Sequence, residues 1–260
     1  MPNYKKSPVI YIILHRFKTF LHSFCKFSSL ILKTIPHHFR AQQYKKIGSK
    51  FLQYNRENFR GYNYMVINIH SLIKNSRVNG PGERFVIWTQ GCRKMCKNCY
   101  NPETWSHYKN NLIPIENILE DIKNSSATGV TISGGDPFEQ PMEIFSLLEK
   151  ISLLDLKDGV IVFTGYTLEE IKKDPQLESC LKYIDVLIDG RYIEEKRISS
   201  GLAGSSNQEF YFLTDKISRD NILIDQEVEI HFSSGLIQLT GFPIIDRKEL
   251  ELKGIQILNE

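Results

Sequence analysis

Apolar residues recur along this chain with two different periods. Short runs rich in β-branched and aromatic residues read as strands at Arg84–Gln90 (RFVIWTQ), Gly129–Ser133 (GVTIS), Gly159–Thr164 (GVIVFT) and Ile184–Ile188 (IDVLI). Between them the spacing turns helical. Ile115, Ile118, Leu119 and Ile122 follow Pro114, and Ile144, Leu147, Leu148 and Ile151 follow Pro141. Thr167 and Glu170 stand three apart, as in a capping box, and predict a further short helix. Strands alternating with helices imply βαβ units and a mainly parallel sheet. Ligands of such sheets bind at the carboxyl ends of the strands. The segments leaving the four strands are therefore expected on one side: the loop after Gln90, Gly134-Gly135, Gly165-Tyr166 and Asp189-Gly190. Further on, Val228–Phe232 and Leu236–Thr240 flank Ser233-Ser234-Gly235 and predict a C-terminal hairpin. Asp246 is placed to cap a last short helix ending near Gly254.

Composition adds a boundary. The chain has 260 residues, 41% of them hydrophobic, enough for one folded domain plus an appendage. Residues 1–64 hold 12 Lys and Arg against one acid, Glu57, whereas the remainder is net acidic. Phe17, Phe20, Phe24 and Phe27 give the basic segment the form of an amphipathic helix suited to an anionic surface. Composition changes sharply at Met65, a second candidate start. Residues 1–64 are expected to be a basic extension outside the folded unit, without a function of its own. Residues 65–260 form the expected domain, with a core of about 76–213. No apolar stretch reaches the ~18–20 residues of a membrane-spanning helix, and no secretory signal is expected. Five cysteines, three of them clustered, do not make a disulfide framework and point to a reducing, cytoplasmic setting. Nothing in the pattern calls for nucleic acid.

The clustered cysteines carry the chemistry: Cys92-Arg-Lys-Met-Cys96-Lys-Asn-Cys99. Three thiolates can hold three irons of a cubane cluster and leave the fourth iron open to a small molecule, whereas a structural zinc is normally closed by a fourth ligand. His107 could close such a set, so spacing alone leaves both metals standing. Gly134-Gly135-Asp136-Pro137 is the second constellation. Glycines there let backbone approach a ligand closely, although the same four residues also suit a plain turn. Lys94 and Lys97 read as solvated loop charge, Trp88 and Trp105 as core, and His107 and His231 as surface or core. Tyr166 follows a strand-end glycine, where it could touch a nucleoside or simply pack, and Asn207 and Gln208 either reach a ligand or satisfy a turn.

Five ordered stretches give the chain a resemblance. They are Gln90–Cys92 through Cys99–Trp105, Ser133–Pro137, Phe163–Thr167, Asp185–Gly190 and Gly204–Gln208. Together they resemble the radical S-adenosylmethionine enzymes, and most closely the activating proteins of anaerobic ribonucleoside-triphosphate reductase. The resemblance runs from about Ser76 to Gln208, omits residues 1–64 and weakens after Leu213. It implies an α/β fold, a partial (open) βα barrel of the radical S-adenosylmethionine type. It implies that Cys92, Cys96 and Cys99 hold a 4Fe–4S cluster whose open iron chelates S-adenosylmethionine. Gly134, Gly135 and Asp136 would line the methionine end, with backbone carbonyls or the carboxylate receiving the ammonium, and Asn98 and Tyr100 would lie near the adenine. One-electron cleavage would yield a 5′-deoxyadenosyl radical that takes a hydrogen atom from a glycine of a partner glycyl-radical reductase. A flavodoxin- or ferredoxin-type protein would supply the electron. Two departures stand out: Asn98 occupies the place where many radical S-adenosylmethionine enzymes carry an aromatic residue, and Asp136 stands where Glu is more frequent. Competing readings are a radical enzyme acting on a peptide or small molecule, and a non-catalytic zinc or iron–sulfur module.

Overall fold

In the computed structural model the described residues are 64–109, 111–198, 201–222, 228–233, 236–241 and 258–259. The expected N-terminal amphipathic helix and the expected helix after Asp246 lie outside them. Residues 64–260 form one compact unit.

That unit is built on a seven-stranded mixed sheet of order β3-β1-β2-β4-β5-β6-β7. Its centre is β2 (Arg84–Thr89), β4 (Gly129–Gly134), β5 (Val160–Phe163) and β6 (Val186–Asp189), all parallel. These are the four runs expected from the sequence, and each is mostly apolar and buried because both faces are covered. Three further strands were not anticipated. β1 (Val66–Ser76) precedes β2 and pairs with it antiparallel, so Arg84–Thr89 is the second strand, not the first. β3 (Leu112–Pro114) pairs with β1, and β7 (Glu209–Phe212) closes the other side antiparallel to β6. All three are antiparallel and sit at the margins of the sheet, where half-exposed residues blur the apolar signal. β8 (Val228–Ser233) and β9 (Leu236–Gly241) pair antiparallel in a separate sheet with β10 (Leu258–Asn259); the residues joining β8 to β9 are outside the described set.

The helices are α1 (Ile115–Lys123), α2 (Pro141–Ser152), α3 (Leu168–Lys173), α4 (Pro175–Glu178) and α5 (Arg219–Ile222). Pro141 starts α2 where its missing N–H costs nothing. Thr167 and Glu170 form the expected capping box on α3. The inward residues of α1 to α4 all join one core with Phe85, Ile87, Val130, Ile132, Val162 and Leu187. These four helices therefore cover the same face. The other face of the strands carries Val86 and Trp88 with Ile73, and Ile161, Val186 and Ile188 with Leu202, Ile217 and Ile222. At the amino ends of the strands Arg84 is fully buried. Its guanidinium donates to Thr131 Oγ1 (3.0 Å) and to the carbonyls of Pro81, Val130, Asp158 and Gly159. Burial lowers its pKa to about 10, partly offset by Asp158 and Asp185, so it stays charged at neutral pH.

Candidate active site: the cysteine loop and the strand ends

Because β2, β4, β5 and β6 run parallel, the four segments leaving them emerge on one side. Direct bonds join each to the next. Gly135 N–H donates to Thr89 O (2.8 Å) and Asp136 N–H to Gly91 O (2.9 Å), tying the turn after β4 to the start of the cysteine loop. The Asp136 carboxylate accepts from Phe138 N–H (3.1 Å), Thr164 Oγ1 (2.9 Å) and Gly165 N–H (2.9 Å), tying that turn to the end of β5. Gly190 N–H donates to Tyr166 O (3.0 Å), reaching the end of β6.

The two glycines are forced by this closeness. A Cβ on Gly134 would stand 2.4 Å from Thr89 N, and one on Gly135 2.4 Å from Gly91 O. Gly134 also has φ +103, a region costly to other residues. The glycines therefore admit the protein's own backbone first, and that contact fixes where Cys92 begins.

Asp136 is completely buried, and burial pushes its carboxyl up to about 6 despite its three donors and the nearby Lys94 ammonium. Three of the roughly four acceptor positions of a carboxylate are used internally.

The loop itself curls. Met95 (φ +43) and Asn98 (φ +53) take left-handed conformations, one before Cys96 and one before Cys99. Cys92 is buried, while Cys96 and Cys99 are half-buried, and all three are free thiols. Backbone N–H groups of Lys94 and Met95 point at the Cys92 sulfur, although burial outweighs them and pushes that thiol up to about 11. Asn101 N–H lies 3.4 Å from the Cys99 sulfur, whose pKa burial also raises. Among the described residues no three His, Cys, Asp or Glu are placed around one metal ion. A cubane does not ask for that, since each thiolate takes a different iron. Thiols sheltered in one loop, with backbone N–H donors at Cys92 and Cys99, fit a cluster whose sulfurs carry partial negative charge.

The remaining expected residues separate. Asn98 is exposed at the loop apex. Tyr100 packs edge-on against Tyr192 (centroids 5.1 Å), with the Arg197 guanidinium 5.2 Å from its ring, in the segment after β6. Gln208 satisfies a turn: its Oε1 accepts from Gly204 N–H and Ser205 N–H, and its Nε2 donates to Gly190 O. Asn207 likewise donates to Arg191 O. Lys97 pairs with Glu195 in solvent, an interaction worth little. Lys94 departs from the expected solvated charge. Its ammonium lies 3.4 Å from the centre of the Tyr166 ring. Trp88 is core, whereas Trp105 is half-buried beside the cysteines.

Glu139 is a site residue the sequence reading passed over. Its side chain is only 3% exposed, its Oε2 lies 3.3 Å from Arg93 Nε, and its Oε1 accepts from the Tyr166 hydroxyl. Glu139, Arg93, Lys94 and Tyr166 thus brace the loop against the turns after β4 and β5. Only the run-on of the Gly-Gly-Asp-Pro motif into Phe138-Glu139 hinted at it.

A mixed α/β sheet with three free cysteines in one loop at the strand ends is the arrangement of a single-cluster iron–sulfur domain, and a family model shows that class. The family model described as "4Fe-4S single cluster domain" matches residues 78–211, about half of the chain. Three relatives bear the printed name anaerobic ribonucleoside-triphosphate reductase-activating protein. That of Enterobacteria phage T4 is 35% identical over 145 residues, 54% of this chain and 90% of the relative. That of Vibrio cholerae is 34% identical over 158 residues, 57% of this chain and 99% of the relative. That of Escherichia coli K12 is 32% identical over 157 residues, 56% and 99%. The chain belongs to the family of anaerobic ribonucleoside-triphosphate reductase-activating proteins.

Proposed function

We propose that the protein is a radical S-adenosylmethionine enzyme that installs a glycyl radical on an anaerobic ribonucleoside-triphosphate reductase. The observation that carries this reading is the cysteine loop at the carboxyl end of β2, bonded through Gly91 to Gly135 and Asp136. Cys92, Cys96 and Cys99 would hold the cluster. A 4Fe–4S cluster with S-adenosylmethionine on its open iron supplies a low-potential electron and, from it, a carbon radical able to abstract hydrogen.

The chain's own residues do the positioning. Gly134 and Gly135 keep the turn after β4 against Thr89 and Gly91, and Asp136 holds that turn to β5 through Thr164 and Gly165. The loop carbonyls receive the ammonium of the methionine end. Tyr100 and the nearby Tyr192 offer aromatic surface to the adenine, and Asn98 flanks it from the loop apex. Lys94 over Tyr166 keeps the loop closed. The sheet is read as an open barrel, supported by four helices that all cover one face. Its uncovered mouth would admit the glycine segment of the reductase. β8 and β9 are read as the C-terminal hairpin.

The electron is assigned to a flavodoxin- or ferredoxin-type donor meeting the outer face of the loop, where Arg93, Met95 and Lys97 are exposed. Four free cysteines among the described residues, and no helix there long and apolar enough to cross a membrane, support a cytoplasmic setting. Residues 65–260 are read as the functional domain, so expression from Met65 should retain activity; loss of activity would give residues 1–64 a role.

The test is anaerobic reconstitution, reduction and assay of 5′-deoxyadenosine, with and without the reductase. Cleavage of S-adenosylmethionine together with a glycyl radical signal on the reductase is expected. Cleavage without that signal would move the radical to a peptide or small molecule. One zinc per chain and no cluster absorption would leave a binding module.

A further inference from the structure

The segment after the cysteines doubles back onto the residues before them. Gly91 N–H donates to Thr104 O (2.7 Å), Cys92 N–H to Trp105 O (3.1 Å), and Gln90 Nε2 to Ser106 O (2.8 Å). Thr104 is fully buried, and its hydroxyl closes the short helix Pro102–Trp105 on Asn101 O (2.6 Å). Three cross-bonds within three residues fix the Trp105 backbone at the first cysteine.

The ring it carries ends in an N–H with no place to go. Trp105 Nε1 is buried and finds no hydrogen-bond partner of normal geometry. Leaving a buried donor unmade costs about 1–3 kcal/mol, so such groups call for an explanation. Burial raises the pKa of the neighbouring Cys99 thiol, and the Trp105 side chain, close enough to act on it as a hydrogen-bonding group, works the other way. Cys99 already takes Asn101 N–H at 3.4 Å.

We propose that the indole N–H of Trp105 donates a hydrogen bond to the cluster sulfur held by Cys99, and that Trp105 is thereby a positioning residue that raises the reduction potential of the cluster. The inference rests on the cluster reading given above. Removing the backbone donors at Cys92 and Cys99 would take a proline that reshapes the loop, whereas the indole can be exchanged for another ring. A hydrogen bond to a cluster sulfur stabilises the reduced, more negative state, so it shifts the potential upward. The gain is practical: a cluster too reducing accepts no electron from its donor.

The test uses the full chain, reconstituted anaerobically. The chain has only two tryptophans, Trp88 and Trp105. Protein labelled with indole 15N should show a 15N hyperfine coupling to the reduced cluster by pulsed electron paramagnetic resonance. The coupling should persist in Trp88→Phe and vanish in Trp105→Phe. Redox titration of Trp105→Phe should give a more negative midpoint at unchanged iron and sulfide content. Absence of the coupling in the unsubstituted protein overturns the proposal, and this arm needs no variant to fold. A coupling that survives Trp105→Phe, or an unchanged midpoint at full iron content, also overturns it. If the unsubstituted protein takes up no cluster, the cluster reading itself falls.

Discussion

Replacing Gly135 by Ala separates a steric from a conformational use of glycine. Gly135 does not have positive φ, so alanine suits its backbone. The added Cβ would stand 2.4 Å from the Gly91 carbonyl oxygen, 2.8 Å from its carbon and 3.0 Å from its nitrogen. All three are backbone atoms, so no side chain can swing aside. Carbon contacts relax only near ~3.5–4.0 Å, which means the two strand ends must part by about an ångström. That movement strikes the Gly135–Thr89 and Asp136–Gly91 hydrogen bonds, at 2.8 and 2.9 Å. Overpacking costs about 1–3 kcal/mol and each lost bond about 1 kcal/mol, for about 3–5 kcal/mol together. At a urea dependence of about 2 kcal/mol per molar, the unfolding midpoint falls by about 2 M.

Gly201→Ala is the matched control. Gly201 has φ +75 and nothing within 4 Å of its would-be Cβ, so only the left-handed strain of about 1–2 kcal/mol applies. Anaerobic urea unfolding followed by circular dichroism compares the two. Because Gly91 directly precedes Cys92, Gly135→Ala should also retain less iron after reconstitution, whereas Gly201→Ala should not. A midpoint loss in Gly135→Ala no larger than in Gly201→Ala would refute the claim that backbone contact between the strand ends fixes the cysteine loop.

Three further outcomes are expected. Arg84→Lys should destabilise by about 3–5 kcal/mol in thermal or urea unfolding, because one ammonium cannot reach the five acceptors the guanidinium now satisfies. Asp136 has its pKa raised from 3.8 to about 6, so its contribution is full below about pH 4 and lost as pH rises to about 6, about 3 kcal/mol in all. Asp136→Asn removes that slope, and an unchanged stability profile between these pH values would contradict it. Cys96→Ala should abolish both cluster absorption and 5′-deoxyadenosine formation; retained cleavage would mean the ligands lie elsewhere.

The central strands and most of the helices were legible because buried parallel strands are apolar on both faces and helices advertise one face. β1 was not, because Asn68, His70 and Lys74 interrupt its apolar positions at the sheet margin. The three cysteines stood out because they fall within eight residues of one another, and the fold keeps them in one loop after β2. The brace of Arg93 on Glu139 and of Lys94 on Tyr166 was not, because its partners are 46 and 72 residues apart and no local pattern links them. Trp105 read as core for a similar reason. Whether an indole fills space or aims its N–H at a thiol depends on the cross-bonds of residues 104–106 to residues 90–92, which only the folded loop supplies.

Asp136 shows how much structural work a motif residue can do besides facing a ligand. A carboxylate beside two glycines in a cofactor site invites the reading of a ligand contact. In the fold its oxygens are bound by Phe138, Thr164 and Gly165, and burial opposes its charge. Those bonds hold the turn after β4 to the turn after β5. That also gives a reason for Asp over the longer Glu. A carboxylate one methylene further out would overshoot Thr164 and Gly165 unless the turns separated, and the turn after β4 is already held at hydrogen-bond distance from Gly91. The short side chain and the two glycines are then parts of one solution. Each lets the strand ends close to backbone contact, and that contact sets the position of Cys92, the first of the three thiols.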